Sequence, residues 1–544
     1  MSTVAATNAP SDPGTRPALI DPPVPNWLRR VDAVAARVGD RVNPILVKET
    51  RQALKSRQFV VTFSVLLLAA LGWTVAGSLS MMPQIYTTPS APRMLMGYYV
   101  VLAVPMLLVV PLAAYRSLEN EIDDGTLELL SITTLSPWQI VLGKLASALL
   151  QLLLYFIVLF PCVAYAYTLR GVDLPSTLVM VGTLLAAGVL LTIVSLFFAP
   201  WAVTRSGRLM TLLVVMGLLL STQYALGVMM FWVINNGVWT SALETFYGAV
   251  LVTCIAVPMG HLFLTATAAQ LTPISENRST SIRVSLLIFT AVIVGVGVAG
   301  AQLTDPIDAV GMVIGLVILL CVIWVIAGSM MVGESSDITP RIRRELPASF
   351  VGRAALTFLT PGPVTGLVLA SAVGLVLVGG FDVWSRQVDM TGGSSWFSSR
   401  LLADSRRMLW TALAYAVGLL TAASWLMRLI RIRNSPRVEV GFAALVAVMV
   451  LSALVPYSIG FHFADYRSYP YNAFQLTNWF WTTVEASDGN ATAIIVAVAV
   501  AVMATMALAL TVFSRPKLMF PRRIALPRRV QQQIAQDRLA SQPK

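Results

Sequence analysis

The chain has 544 residues, of which 57% are hydrophobic and 12% charged, and its mean hydropathy is +0.76. Soluble domains carry charge at about 25%, roughly twice that frequency, so a set of soluble domains could not be covered by these side chains. The composition excludes a soluble enzyme and marks an integral membrane protein. The 38 Lys and Arg exceed the 26 Asp and Glu, for a net charge of +12. In such a chain that excess speaks first of topology and lipid contact, and only second of nucleic acid. Cys162, Cys254 and Cys321 all fall in apolar runs, and His261 and His462 lie far apart, so no disulfide framework or metal cluster is expected.

Residues 1–25 are rich in Pro, Ala, Ser and Thr and are expected to be disordered, with no signal peptide. Residues 27–42 alternate apolar and basic side chains, which predicts a helix on the cytoplasmic membrane surface. A second amphipathic stretch, 43–52, leads into the first span, so 1–57 forms a cytoplasmic N-terminal region.

A spanning helix needs about 20 apolar residues. Twelve spans are predicted, near 58–80, 95–115, 139–168, 176–200, 209–234, 245–271, 284–302, 308–332, 354–380, 408–427, 438–458 and 492–514. The fold class is an all-α membrane protein with two six-span halves, 58–271 and 272–514, and a basic cytoplasmic tail, 515–544. Spans 3 and 9 are long enough to tilt or to begin as interfacial helices. Pro105, Pro111, Pro161 and Pro258 predict kinks. With both termini in the cytoplasm, 30 Lys and Arg lie on the inner side and 7 in outer loops. The worst local violation is Arg386, Arg400, Arg406 and Arg407 before span 10.

The interior is almost free of ionisable residues. Lys144 lies near the start of span 3 and is expected to snorkel. His261 in span 6 reads as a packed neutral side chain. A transporter driven by an ion gradient usually needs buried carboxylates or unwound ion sites, and neither is evident. No phosphate-binding loop is present: before Gly143-Lys144, Trp138 stands where the first glycine is required, and Leu145 follows the lysine.

One segment carries a motif. Five carboxylates fall between Glu119 and Glu128. Leu118, Ile122 and Thr126 are spaced four apart, as on one face of a helix. Gly125 can stop that helix, Thr126 can cap the next, and Ser136-Pro137 fits the opening of span 3. The pattern predicts a short acidic helical hairpin parallel to the membrane; a solvated connecting loop is the other reading.

The run Glu119, Glu121, Gly125-Thr126-Leu127-Glu128-Leu129-Leu130, Leu135-Ser136, Ile140 and Gly143-Lys144 resembles the loop of ABC transporter permeases of the type-2 exporter class. Their pattern is an acidic pair, G-T-L-E-L-L, T-P-L-S and I-x-x-G-K. Here the third piece is Thr133-Thr134-Leu135-Ser136, without the proline. The stretch 43–49 resembles that family's N-terminal signature, and the match covers 43–270.

The resemblance implies that 116–138 is a coupling loop docking on a separate nucleotide-binding ATPase subunit, which would hold ATP and Mg. Its docking residues would be Glu119, Glu121, Gly125, Thr126, Glu128, Leu129 and Leu130. Ser136, Pro137, Gly143 and Lys144 would open the third span. The implied setting is the cytoplasmic (inner) membrane. Anionic lipid is the expected contact of the basic tail, nucleic acid is not expected, and a homodimer or a second permease chain remains open.

The second half carries no such motif. Thr272-Pro273 and Leu359-Thr360-Pro361 echo Asn43-Pro44 and Leu135-Ser136-Pro137 at similar spacing, so a degenerate duplication stands beside chance. Its equivalent loop holds Arg341, Arg343, Arg344 and Arg353. The outer loop 459–491 holds nine Phe, Tyr and Trp together with His462, Trp479 and Trp481 among them. Re-entrant helices occupy this place in the resembled family; an aromatic belt against the outer face is the other reading.

A membrane-embedded glycosyltransferase often keeps a carboxylate in its first outer loop, and 81–94 holds none. A scaffold that binds an ATPase without transport is a further reading. The substrate is not legible. Reporter fusions at Ser2 and Lys544 are both expected to report the cytoplasm; an outward-facing end at either would remove the even span count.

Overall fold

The computed structural model describes residues 44–83, 85, 87–125, 136–201, 205–236, 242–273, 276–303, 306–335, 339–347, 349–390, 396–433, 438–465 and 469–514, with 523–524, 529–530 and 532–533 of the tail. The segment 27–42 and most of 515–544 lie outside them. Helices and no strands are found among the described residues.

A short helix, α1 (Pro44–Lys55), precedes six long ones: α2 (Arg57–Ser80), α3 (Ala91–Asp123), α4 (Pro137–Thr168), α5 (Leu174–Phe198), α6 (Arg205–Asn236) and α7 (Ala242–Leu271). Then follow α8 (Ser279–Leu303), α9 (Pro306–Val332), the short α10 (Pro340–Glu345) and α11 (Phe350–Thr357), α12 (Pro363–Met390), α13 (Trp396–Arg433), α14 (Glu439–Phe463), the short α15 (Trp479–Ser487) and α16 (Ala491–Phe513). Among the described residues, twelve are long and apolar enough to cross a membrane, and each overlaps a predicted span. The chain is a multi-pass membrane protein.

Local chemistry sets the helix boundaries. Ser56 stands in extended conformation between α1 and α2, and its Oγ accepts from Phe59 N at 3.1 Å. The amphipathic stretch is therefore a separate helix, not an extension of the first span. Ser136 and Gln139 form a reciprocal capping box with Pro137 in the first turn of α4. In α3, Pro105 and Pro111 each lack an N–H, and the chain absorbs this in one π-helical turn, Val104–Val109, before running on to Asp123. The first limb of the expected hairpin is thus the last turns of α3. Gly125 closes it at φ +66°, a left-handed conformation that costs glycine little. The second limb lies outside the described residues.

Two other expectations change. The predicted ninth span separates into α11 and α12, with Thr360 to Gly362 between them. The predicted loop before span 10 is mostly helix, because α12 and α13 both extend past their apolar windows. The four arginines there have carboxylate partners. Arg386 lies 3.0 Å from Asp382, Arg406 2.8 Å from Asp389, and Arg407 2.5 Å and Arg400 4.0 Å from Asp404. The local excess of positive charge is largely neutralised within the helices.

Buried apolar residues form two large clusters, one running from Leu66 to Ala268 and one from Leu286 to Leu445. Helix α7 joins them: Leu264 and Ala268 sit in the first, while Ile255, Met259 and Leu262 pack on the second. We use "basal end" for the end of the bundle that carries α1, the last turn of α3 and the first turn of α4.

At the basal end of α9 and α14 two backbones touch. A Cβ at Gly441 would collide with Ser329 O and lie 2.7 Å from Gly333 N, and neither backbone atom can step aside. Gly441→Ala is expected to cost about 1–3 kcal/mol through overpacking. Gly217→Ala in α6, where nothing lies within 4 Å, is expected to be neutral or to add up to about 1 kcal/mol of helix propensity. Thermal unfolding in detergent distinguishes them; equal midpoints would remove the packing argument.

Candidate functional site

Three elements converge on Lys144. It lies two turns into α4 and is 2% exposed. Its Nζ is 3.0 Å from Glu121 Oε2 and 3.5 Å from Glu49 Oε1, and it donates to Ser117 Oγ at 2.9 Å. Ser117 and Glu121 are four apart in α3 and share a face; Glu49 comes from α1. Lys144 therefore does not snorkel. Two carboxylates and a hydroxyl replace water around the ammonium, which removes the penalty of an unpaired buried charge. Around this node, Lys48 lies 3.8 Å from Glu121, Arg208 of α6 pairs with Asp123, and the Tyr115 hydroxyl reaches Glu119 at 3.4 Å.

Of the expected site residues, Glu121 and Lys144 meet directly. Glu119 lies half-buried beside them, Gly125 ends α3, Ser136 and Pro137 open α4, and Gly143 is buried next to Lys144. Thr126, Glu128, Leu129 and Leu130 lie outside the described residues. Sequence reasoning missed Glu49 and Ser117. A signal existed for Glu49, the sole acid in α1.

A second buried ion pair also lies at helix ends. Arg283, near the start of α8, is fully buried, and its Nη2 lies 2.8 Å from Glu334 Oε2. The same guanidinium donates to the carbonyls of Phe358 (2.8 Å), Thr360 (2.6 Å) and Gly362 (3.1 Å) and to Thr365 Oγ1 (3.1 Å). Glu334 accepts from Ser279 Oγ and Gly362 N, and Arg431 of α13 donates to the Val332 and Glu334 carbonyls. Glu121 closes the second span and meets the start of the third. Glu334 follows the eighth and meets the start of the ninth.

The aromatic segment after α14 is re-entrant. Thr477 Oγ1 donates to Ser452 O, and Trp479 Nε1 to Met449 O, both at 3.1 Å. These acceptors lie about 16–21 Å below the end of α14 at 1.5 Å per residue. Tyr415, near the middle of α13, donates to Leu476 O at 2.7 Å. The chain thus dips to mid-depth, and α15 climbs back to Asn490, which caps α16. Pro456 explains the anchor. It has no N–H to give Ser452 O, and the Thr477 hydroxyl supplies the missing donor. Gln475 Nε2 donates to Pro456 O at 3.0 Å, and the buried Gln475, Asn478 and Thr482 bond one another. Irregular backbone at this depth is tolerated because protein covers it. The segment thus packs along α13 and α14 and does not merely cap their ends.

His261 Nδ1 lies 3.1 Å from Ser285 Oγ, and its ring packs 5.8 Å from Trp138, as a side chain bridging α7, α8 and α4. Among the described residues, no group of three or more His, Cys, Asp or Glu could hold a metal. Comparison with protein-family models, curated proteins and solved structures gives no match.

Removing the cation from the first node leaves two carboxylates facing each other. Lys144→Met is expected to cost about 3 kcal/mol or more. The triple variant Lys144→Met/Glu49→Gln/Glu121→Gln should recover much of that loss, because the charges vanish together. Chemical or thermal unfolding in detergent tests this; a single variant as stable as wild type would show that the node carries no burial penalty.

Proposed function

We propose that the chain is the permease subunit of an ATP-driven ABC transporter, acting as an exporter, with the basal end in the cytoplasm and the protein in the cytoplasmic membrane. The Lys144 node carries this reading. The loop that resembles a coupling element joins α3 to α4, and Lys144 clamps the last turn of α3, the second turn of α4 and helix α1 together. A load applied to the loop would reach three elements together, because one shared ion node joins them. That is what transmission from a nucleotide-driven partner requires.

The sequence holds no phosphate-binding loop, so ATP and Mg belong to a separate subunit and this chain has no ATPase site of its own. The two ion nodes, each following the second span of a set of six, favour a duplicated frame. The second set then keeps the frame without the acidic docking loop and offers Arg341, Arg343, Arg344 and Arg353 instead.

Glu121 already has an internal partner, so docking falls to the other carboxylates of the loop: Glu119, Asp124 and Glu128. Complementary charge would fix the docking register more than add affinity. One exposed pair is worth about 0.2–1 kcal/mol, so single changes should do little. Reversal at two positions sets like charges opposed, at a cost of several kcal/mol. Asp124→Lys/Glu128→Lys is expected to insert normally and to lose the ATPase subunit that co-purifies with wild type. Full association together with full transport would remove this loop as the coupling element.

A further inference from the structure

The groove between α14 and α15 has no part in the reading above. It encloses about 650 Å³, within the size range of small-molecule sites. Its walls are almost wholly apolar: Val446, Met449, Val450 and Leu454 from α14, Trp479 and Phe480 from α15. Residues 446–457 span about 16 Å of helix at 1.5 Å per residue, inside the membrane-crossing part of α14. The surrounding phase at that depth is hydrocarbon. The groove opens toward it, with Phe480 62% and Leu454 57% exposed.

The outer end of the groove has a different chemistry. Trp481 lines it, with the rings of Tyr457, Tyr469 and Tyr471 within 5.6–5.8 Å of its own. One turn further, Glu485 accepts from Trp481 Nε1 at 3.1 Å and from Asn490 Nδ2 at 2.9 Å. Among the described residues no Lys or Arg pairs with Glu485. A carboxylate beside a wall of aromatic rings suits a cation.

We infer that this groove holds one lipid-like amphiphile, its acyl chain between α14 and α15 and a positively charged amine or quaternary-ammonium head at Trp481 and Glu485. An acyl chain is the occupant that the setting favours, since the groove faces bilayer hydrocarbon. The charge at its outer end selects the head. The site needs no ATPase, so it stands or falls separately from the transport reading.

The test uses the full chain in nanodiscs containing a trace of lipid with a photoactivatable acyl chain, as phosphatidylcholine or as phosphatidylglycerol, with adducts mapped by mass spectrometry. Adducts of the choline lipid are expected to concentrate on 446–457 and 478–481, well above the lipid-facing helix α2, and to be competed by unlabelled phosphatidylcholine. Ala453→Trp, which fills the groove, should remove them while leaving α2 labelling and the elution volume unchanged. Glu485→Gln should lower the preference for the choline head severalfold. The wild-type comparison of the two heads needs no variant. Labelling no denser than on α2, or indifferent to the head, would overturn the site. So would protection of the groove by a second copy of the chain.

Discussion

A charge or a free backbone group taken into hydrocarbon must find its partner inside the protein, and this constraint shapes every irregular feature of the bundle. Lys144 is buried because α1 and α3 bring two carboxylates and a hydroxyl to it. Arg283 is buried because the turn before α12 presents three carbonyls, and the turn after α9 presents Glu334. In both places charge satisfaction decides which helix ends meet. Apolar packing alone would leave those junctions free to slide, since lipid tails are as apolar as the helix faces.

The same constraint accounts for the re-entrant segment. A proline inside a span frees one carbonyl, and α14 frees that of Ser452 at mid-depth. The carbonyl is answered by Thr477, a residue of the segment that dips. Gln475, Asn478 and Thr482 would each be costly in lipid, yet together they close a local network under the cover of α13, α14 and α16. The proline and the dip fit each other: the carbonyl that one frees is the acceptor that the other uses.

All twelve spans were legible in the sequence, since hydropathy over twenty residues is a local property. The Ser136 cap and the Gly125 stop were legible too, because capping acts within one turn. What escaped was long-range pairing. The lone Lys144 was visible, but its partner Glu49 sits some 95 residues away in a helix that reads as merely amphipathic. Arg283 and Glu334 were missed because one lies inside an apolar run and the other just past one. The four arginines before span 10 looked like a topology fault because the pattern of Lys and Arg ignores carboxylates, and Asp382, Asp389 and Asp404 answer them. The aromatic loop gave its composition but not its depth, which Pro456 sets from a neighbouring helix.

The two ion nodes differ in a way that bears on mechanism. Arg283 drives a planar fork into backbone carbonyls of a tight turn, so three of its partners are parts of the main chain that cannot rotate away. Such a junction holds position. Lys144 is a point charge on a flexible stem, and its carboxylate partners are side chains that can re-aim as their helices shift. It can stay paired while α1, the end of α3 and the start of α4 move by an ångström or so. A permease worked from one side needs one junction that follows the load and another that resists it. In the proposed function the compliant node lies under the acidic loop, where a partner would push, and the rigid node lies under the segment that lacks such a loop. On that proposal, the lysine at one node would transmit motion and the arginine at the other would anchor against it.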